Sequence, residues 1–77
     1  MKVVVYSSEM CPWCDRVKEF LKEHNIKFEI KDVGRDIKAR EELIEKSGQL
    51  GVPVTIIDGE VIVGFNVPLL KHYLKID

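Results

Sequence analysis

The sequence predicts an α/β protein of element order βαβαββα, a four-stranded mixed sheet carrying three helices. Three observations lead there. A β-branched run near the N-terminus gives way at once to helix-period patterning, and that strand-to-helix change then recurs. Asp58-Gly59 between two apolar runs marks a hairpin near the C-terminal end. The 77 residues accommodate one domain, 1–77, with no room for a second.

Each element has its own justification. Lys2 to Tyr6 is an apolar, β-branched run of the kind expected for a strand covered on both faces. From Pro12 the period changes. Cys14, Val17, Phe20 and Leu21 fall on one helix face, while Asp15, Arg16, Lys18, Glu19 and Lys22 take the other, and the helix should end near His24-Asn25. Ile26, Phe28 and Ile30 alternate with Lys27, Glu29 and Lys31, the pattern of a half-buried strand. Asp36 is placed to cap a second helix carrying Ile37, Leu43 and Ile44, and Gly48 to end it. Val52 to Ile57 and Val61 to Val63 read as the hairpin strands. Asn66 caps a last helix that tolerates Pro68 in its first turn and turns Leu70 and Leu74 inward. The first two strands form a right-handed parallel crossover, the hairpin adds an antiparallel pair, and helices cover both faces.

Composition excludes several classes of function. A hydrophobic content of 45% argues against disorder, and 12 basic against 13 acidic residues leave a net charge of −1 with no basic block. Neither nucleic acid nor an anionic membrane is an expected partner. The N-terminal apolar stretch is too short for a signal-peptide core, and no run approaches transmembrane length, so the expected location is the cytoplasm. In that compartment a close cysteine pair is expected to cycle rather than to staple a fold.

Cys11-Pro12-Trp13-Cys14 carries the chemistry. These are the only two cysteines, set at the start of a helix that follows a strand, and a C-x-x-C there reads as a dithiol/disulfide redox centre. A closed zinc site would need four ligands, and His24 and His72 stand far apart as solvated helix residues, so no metal is expected. Cys14 continues the buried stripe. Cys11 lies at the first turn, where free backbone N–H groups and the helix dipole favour its thiolate. Lowering a thiol pKa from about 8.5 to about 7 raises the thiolate fraction at neutral pH from roughly 3% to half. Cys11 is therefore the expected nucleophile and Cys14 the resolving thiol. Pro12 pre-sets the helix start, and Trp13, hard to bury between two cysteines, is a candidate substrate contact. Glu9 and Asp15 oppose the thiolate, whereas Arg16 assists it.

Gly51-Val52-Pro53-Val54 admits two readings. Pro53 either starts a strand, or a cis Val52–Pro53 bond frees the Val52 backbone to pair with an extended substrate.

Tyr6 to Cys14, Ser47 to Pro53, and Asp58-Gly59 through Gly64-Phe65-Asn66 together resemble a small glutaredoxin of the thioredoxin fold, over essentially the whole chain. The resemblance implies dithiol–disulfide oxidoreductase activity with Cys11 and Cys14 catalytic, Pro53 the family's cis proline, and Val52, Gly64, Phe65 and Asn66 near substrate. No tightly bound cofactor is expected, with glutathione as a co-substrate, disulfide-bearing proteins as substrates, and a monomeric state. Two departures concern the electron donor. Ser8 stands where glutathione-using members usually carry a basic residue, and Gly64-Phe65-Asn66 replaces a Gly-Gly-acidic stretch. The single glycine followed by Phe65 is similar to redoxins that draw electrons from thioredoxin reductase and reduce ribonucleotide reductase, although those usually lack Pro12-Trp13. Phe65 is assigned equally to core or to a substrate-facing ring.

Two binding functions compete. A copper carrier would also expose a C-x-x-C, but its order would be βαββαβ and its methionine would precede the pair by two residues, whereas Met10 abuts Cys11. A dimer could instead share an iron–sulfur cluster through Cys11 and glutathione. Lys38, Arg40 and Lys46 are expected on the wet face of the second helix, with one of them available to a glutathione carboxylate.

Overall fold

The computed structural model describes residues 1–76. Its elements are β1 (Val3–Ser7), α1 (Pro12–Glu23), β2 (Glu29–Asp32), α2 (Ile37–Ser47), β3 (Val54–Ile57), β4 (Glu60–Val63) and α3 (Val67–Leu74), the expected order. The sheet runs β2-β1-β3-β4, with β1 parallel to β2 and antiparallel to β3, and β3 antiparallel to β4.

Alternation along β1 splits the core in two. Val3 and Val5 join Val17, Leu21, Ile57, Ile62, Leu70 and Leu74 beneath α1 and α3. Val4 and Tyr6 join Val33, Ala39, Leu43, Val54 and Ile56 beneath α2. All five β1 residues are buried, so the unbroken apolar run reflects a strand covered on both faces.

Local signals end the helices as expected. The Asp36 carboxylate accepts from the N–H groups of Lys38 and Ala39, and Gly48 takes the left-handed conformation (φ 74°) that closes α2. Asn66 Oδ1 accepts from the Leu69 N–H at 3.1 Å and starts α3. Asp58 and Gly59 both have positive φ, 48° and 90°, as the tight hairpin turn requires.

Some expectations shift. The first strand begins at Val3 rather than Lys2, and the third at Val54, leaving Val52 and Pro53 outside the ladder. The alternating stretch is displaced as well. Half-buried Ile26 and Phe28 pack onto the core before β2 begins, whereas Ile30, inside the strand, is 48% exposed. β2 is an edge strand, and Ile30 lies beside the helix-covered part of the sheet rather than under it. On α2 only Ala39 and Leu43 are buried, and Ile37 and Ile44 face solvent.

A polar network anchors α2 to the sheet. Lys31 Nζ donates to Glu42 Oε1 at 2.7 Å, and the hydroxyl of buried Tyr6 donates to the same oxygen at 3.3 Å. The hydrogen bond to Glu42 raises the Lys31 pKa, and its counterpart from Lys31 lowers that of Glu42. Burial pushes the Tyr6 phenol up.

Candidate active site

β1 delivers the chain to Cys11 at its carboxyl end, and antiparallel β3 begins at that same edge of the sheet. The cysteines and Pro53 are thus brought to one end by topology alone.

Cys11 is the N-cap of α1 (φ −119°, ψ 97°), and Pro12 occupies the first helical turn, where its missing N–H removes no helical bond. Cys11 and Cys14 are joined as a disulfide, their Cα atoms 5.2 Å apart. Their surroundings differ sharply. Cys14 is 0% exposed among the α1 residues that face the sheet, whereas Cys11 is half-buried. The Cys14 N–H donates to Cys11 Sγ at 3.2 Å, so an amide at the positive end of the helix points at the outer sulfur.

The flanking charges are resolved. The Glu9 carboxylate accepts from the guanidinium of Arg35, which also lies 4.0 Å from Asp32 Oδ2. Arg16 stands over the Trp13 ring, 5.5 Å from its centroid. Glu9 therefore has a cationic partner of its own, and Arg16 is drawn to the aromatic surface beside the cysteines.

Val52–Pro53 is a cis peptide, the bond geometry of the second reading of this stretch. The Pro53 carbonyl accepts from the Gly64 N–H at 2.8 Å, which ties the end of β4 to the cis segment, and Gly64 holds φ 78°. Trp13, Val52, Pro53, Gly64 and Phe65 line one groove of about 280 Å³. Asn66, the remaining residue expected there, is half-buried and spends its side chain capping α3.

Trp13 is 57% exposed, as expected of an aromatic ring between two cysteines. Of the two roles considered for Phe65, the structure bears out packing on the core. It is half-buried against the core, and its ring lies 6.3 Å from Trp13 and 6.1 Å edge-on from Phe20. Sequence reasoning placed Phe20 in the core and missed this bridging role, for which helix periodicity carries no signal. The Glu9–Arg35 pair was missed as well, because 26 residues separate its members. His24 is half-buried, its ring tilted against that of Phe20 with centroids 4.5 Å apart, a correction to its reading as a solvated residue. His72 is exposed. Among the described residues no three His, Cys, Asp or Glu side chains are grouped to hold a metal ion.

A mixed sheet of this topology, with a redox-active cysteine pair at a helix N-terminus and a cis proline at the same edge, defines a thiol–disulfide oxidoreductase of the thioredoxin fold. Residues 3–62 match the family model described as glutaredoxin. The chain belongs to the glutaredoxin family. It is 52% identical over 64 residues to an uncharacterized glutaredoxin-like 8.6 kDa protein of the rubredoxin operon in Clostridium pasteurianum, covering 83% of this chain and 85% of that one. It is 36% identical over 62 residues to glutaredoxin 3 of Escherichia coli K12, covering 80% and 75% respectively. Among solved structures, a point mutant of the thioredoxin-like protein BC3987 superposes with a TM-score of 0.94 at 41% identity over 99% of this chain and 97% of that one. The glutaredoxin of Archaeoglobus fulgidus gives 0.88 at 29% identity, covering 96% and 86%.

Proposed function

We propose that Cys11 attacks and Cys14 resolves, in a two-electron reduction of disulfides presented as extended segments along Val52-Pro53. The Cys11 thiolate forms a bond to one substrate sulfur, the substrate S–S bond breaks, and the departing thiolate takes a proton from solvent. Cys14 then loses its proton and attacks Cys11 Sγ, releasing the second substrate thiol and leaving the Cys11–Cys14 disulfide. The observation that carries this order is the contrast in access. Cys11 Sγ is half-buried with an amide directed at it, and Cys14 is wholly enclosed. The chain acts as a monomer in a reducing compartment such as the cytoplasm, and no described helix is long and apolar enough to cross a membrane.

Protein disulfides are the preferred substrates, and glutathione is a weak co-substrate. The Ser8 hydroxyl reaches only the Glu9 carbonyl, at 3.4 Å, and brings no charge to a glutathione carboxylate. Phe65 fills the aromatic cluster where a second glycine would leave room. A buckwheat glutaredoxin 25% identical to this chain has been crystallised with glutathione, which supports the tripeptide as a co-substrate here. The test is a coupled assay supplying either glutathione with its reductase or thioredoxin reductase. Turnover should be faster with thioredoxin reductase, and Ser8→Lys with Phe65→Gly should raise the glutathione rate about tenfold through restored contacts. Rapid turnover with glutathione and none with thioredoxin reductase would place the chain with ordinary glutathione-dependent members. Cys14→Ser should accumulate mixed disulfides on Cys11, and its failure to do so would reverse the two roles.

A further inference from the structure

The groove beside the cysteines is not the roomiest concavity described. On the α2 face of the sheet, a cavity of about 450 Å³ runs along β1 from Lys2 to Tyr6, bounded by the C-terminal half of α2 and by Asp58 and Gly59 of the β3–β4 turn. That volume lies within the range of small-molecule sites, about 300–1,000 Å³. Its floor is apolar, formed by Val4, Tyr6 and Ile56, and these belong to the same core cluster as the helix above them. Its rim carries Lys2, Lys31 and Lys46 against Glu42 and Asp58.

Both acids on that rim are already engaged. Glu42 accepts from Lys31 and Tyr6, and Asp58 Oδ1 accepts from the backbone N–H of Lys2 at 2.8 Å. The ammonium groups of Lys2 and Lys46 form no ion pair among the described residues, and both side chains are exposed. An apolar floor thus meets two uncommitted cations at its mouth. That pairing suits an anion carried on a hydrocarbon or aryl body, because burial of the body supplies affinity and the lysines fix the charged end.

We infer that this cavity is a second binding site, separate from the dithiol, that takes a small amphipathic anion such as a medium-chain carboxylate. The body lies on Val4, Tyr6 and Ile56, and the carboxylate lies between Lys2 and Lys46. Tyr6 is the floor's polar marker, its hydroxyl held by Glu42 and its ring under Lys31 Nζ at 5.9 Å. The site depends on no assignment of roles to Cys11 and Cys14.

The test is an amide chemical-shift titration of the oxidised protein with octanoate, with octanamide and inorganic phosphate as single-feature probes. Octanoate should move Val4, Tyr6, Ile56 and Gly59 and leave Trp13 and Cys14 unmoved. Octanamide and phosphate should each bind about tenfold more weakly or worse. Lys2→Gln should weaken octanoate about fivefold while retaining full disulfide reductase activity, which shows the variant folded. Absence of shifts, or octanamide binding as tightly as octanoate, would overturn the site. So would phosphate alone matching octanoate. Vesicles containing phosphatidylglycerol should leave the spectrum unchanged, and general broadening with them would replace the free ligand with a membrane surface.

Discussion

Thr55 offers the sharpest test of the packing. It sits in central strand β3 between Val5 and Ile62, 0% exposed, with its side chain on the α1–α3 side of the sheet. Its Oγ1 has no hydrogen-bond partner among the described residues. A buried hydroxyl without a partner costs about 1–3 kcal/mol, and valine has nearly the same shape without that penalty. Thr55→Val should therefore stabilise the oxidised protein by about 1–2 kcal/mol. At this chain length each kcal/mol corresponds to about 4–8 °C in Tm. Thr55→Ser keeps the hydroxyl but loses a methyl, and should cost about 1 kcal/mol. Urea unfolding of the three proteins decides the matter, with m unchanged if only stability has moved. A Thr55→Val protein no more stable than the parent would mean that Oγ1 finds a hydrogen bond in solution, and the reasoning would be refuted.

Other outcomes follow from the same geometry. Iodoacetamide should alkylate Cys11 of the reduced protein more than about tenfold faster than Cys14 near neutral pH, and equal rates would withdraw the assigned roles. The Glu42 pKa is lowered from 4.5 by its bond with Lys31, so its contribution to stability is present above that value and is lost as pH falls through the folded pKa. Lys31 is raised from 10.5, so its contribution is present below that value and is lost as pH climbs through the folded pKa. Glu42→Gln should flatten the acid limb of a stability–pH curve, and an unchanged limb would show that the pair contributes nothing there. Asp36→Ala removes the acceptor for the Lys38 and Ala39 amides and should cost about 1 kcal/mol in urea unfolding. No loss would mean that water serves those donors equally well.

Element order, helix ends and the redox pair were legible in the residues alone, because each rests on neighbours a few positions apart. Asp36, Gly48 and Asn66 cap helices by contacts within a turn, and Asp58-Gly59 sets the hairpin through its own backbone. Cys11 and Cys14 read as a redox pair because three residues of helix bring them together. Whatever depends on distant partners had to wait for the folded chain. Ile30 is exposed although its alternation suggested burial, because sheet order puts β2 at the edge. Ile37 and Ile44 face solvent because α2 buries only Ala39 and Leu43, a narrower stripe than its apolar content suggests. Periodicity names the apolar residues of an element but not how much of it a neighbour covers. The Glu9–Arg35 pair, the bond from the Gly64 N–H to the Pro53 carbonyl and the Trp13–Phe65–Phe20 surface all join segments remote in the chain. They exist because parallel β2 and antiparallel β3 both pair with β1 and β4 extends β3, which brings the segments after β1, β2 and β4 and the cis segment before β3 to one edge of the sheet.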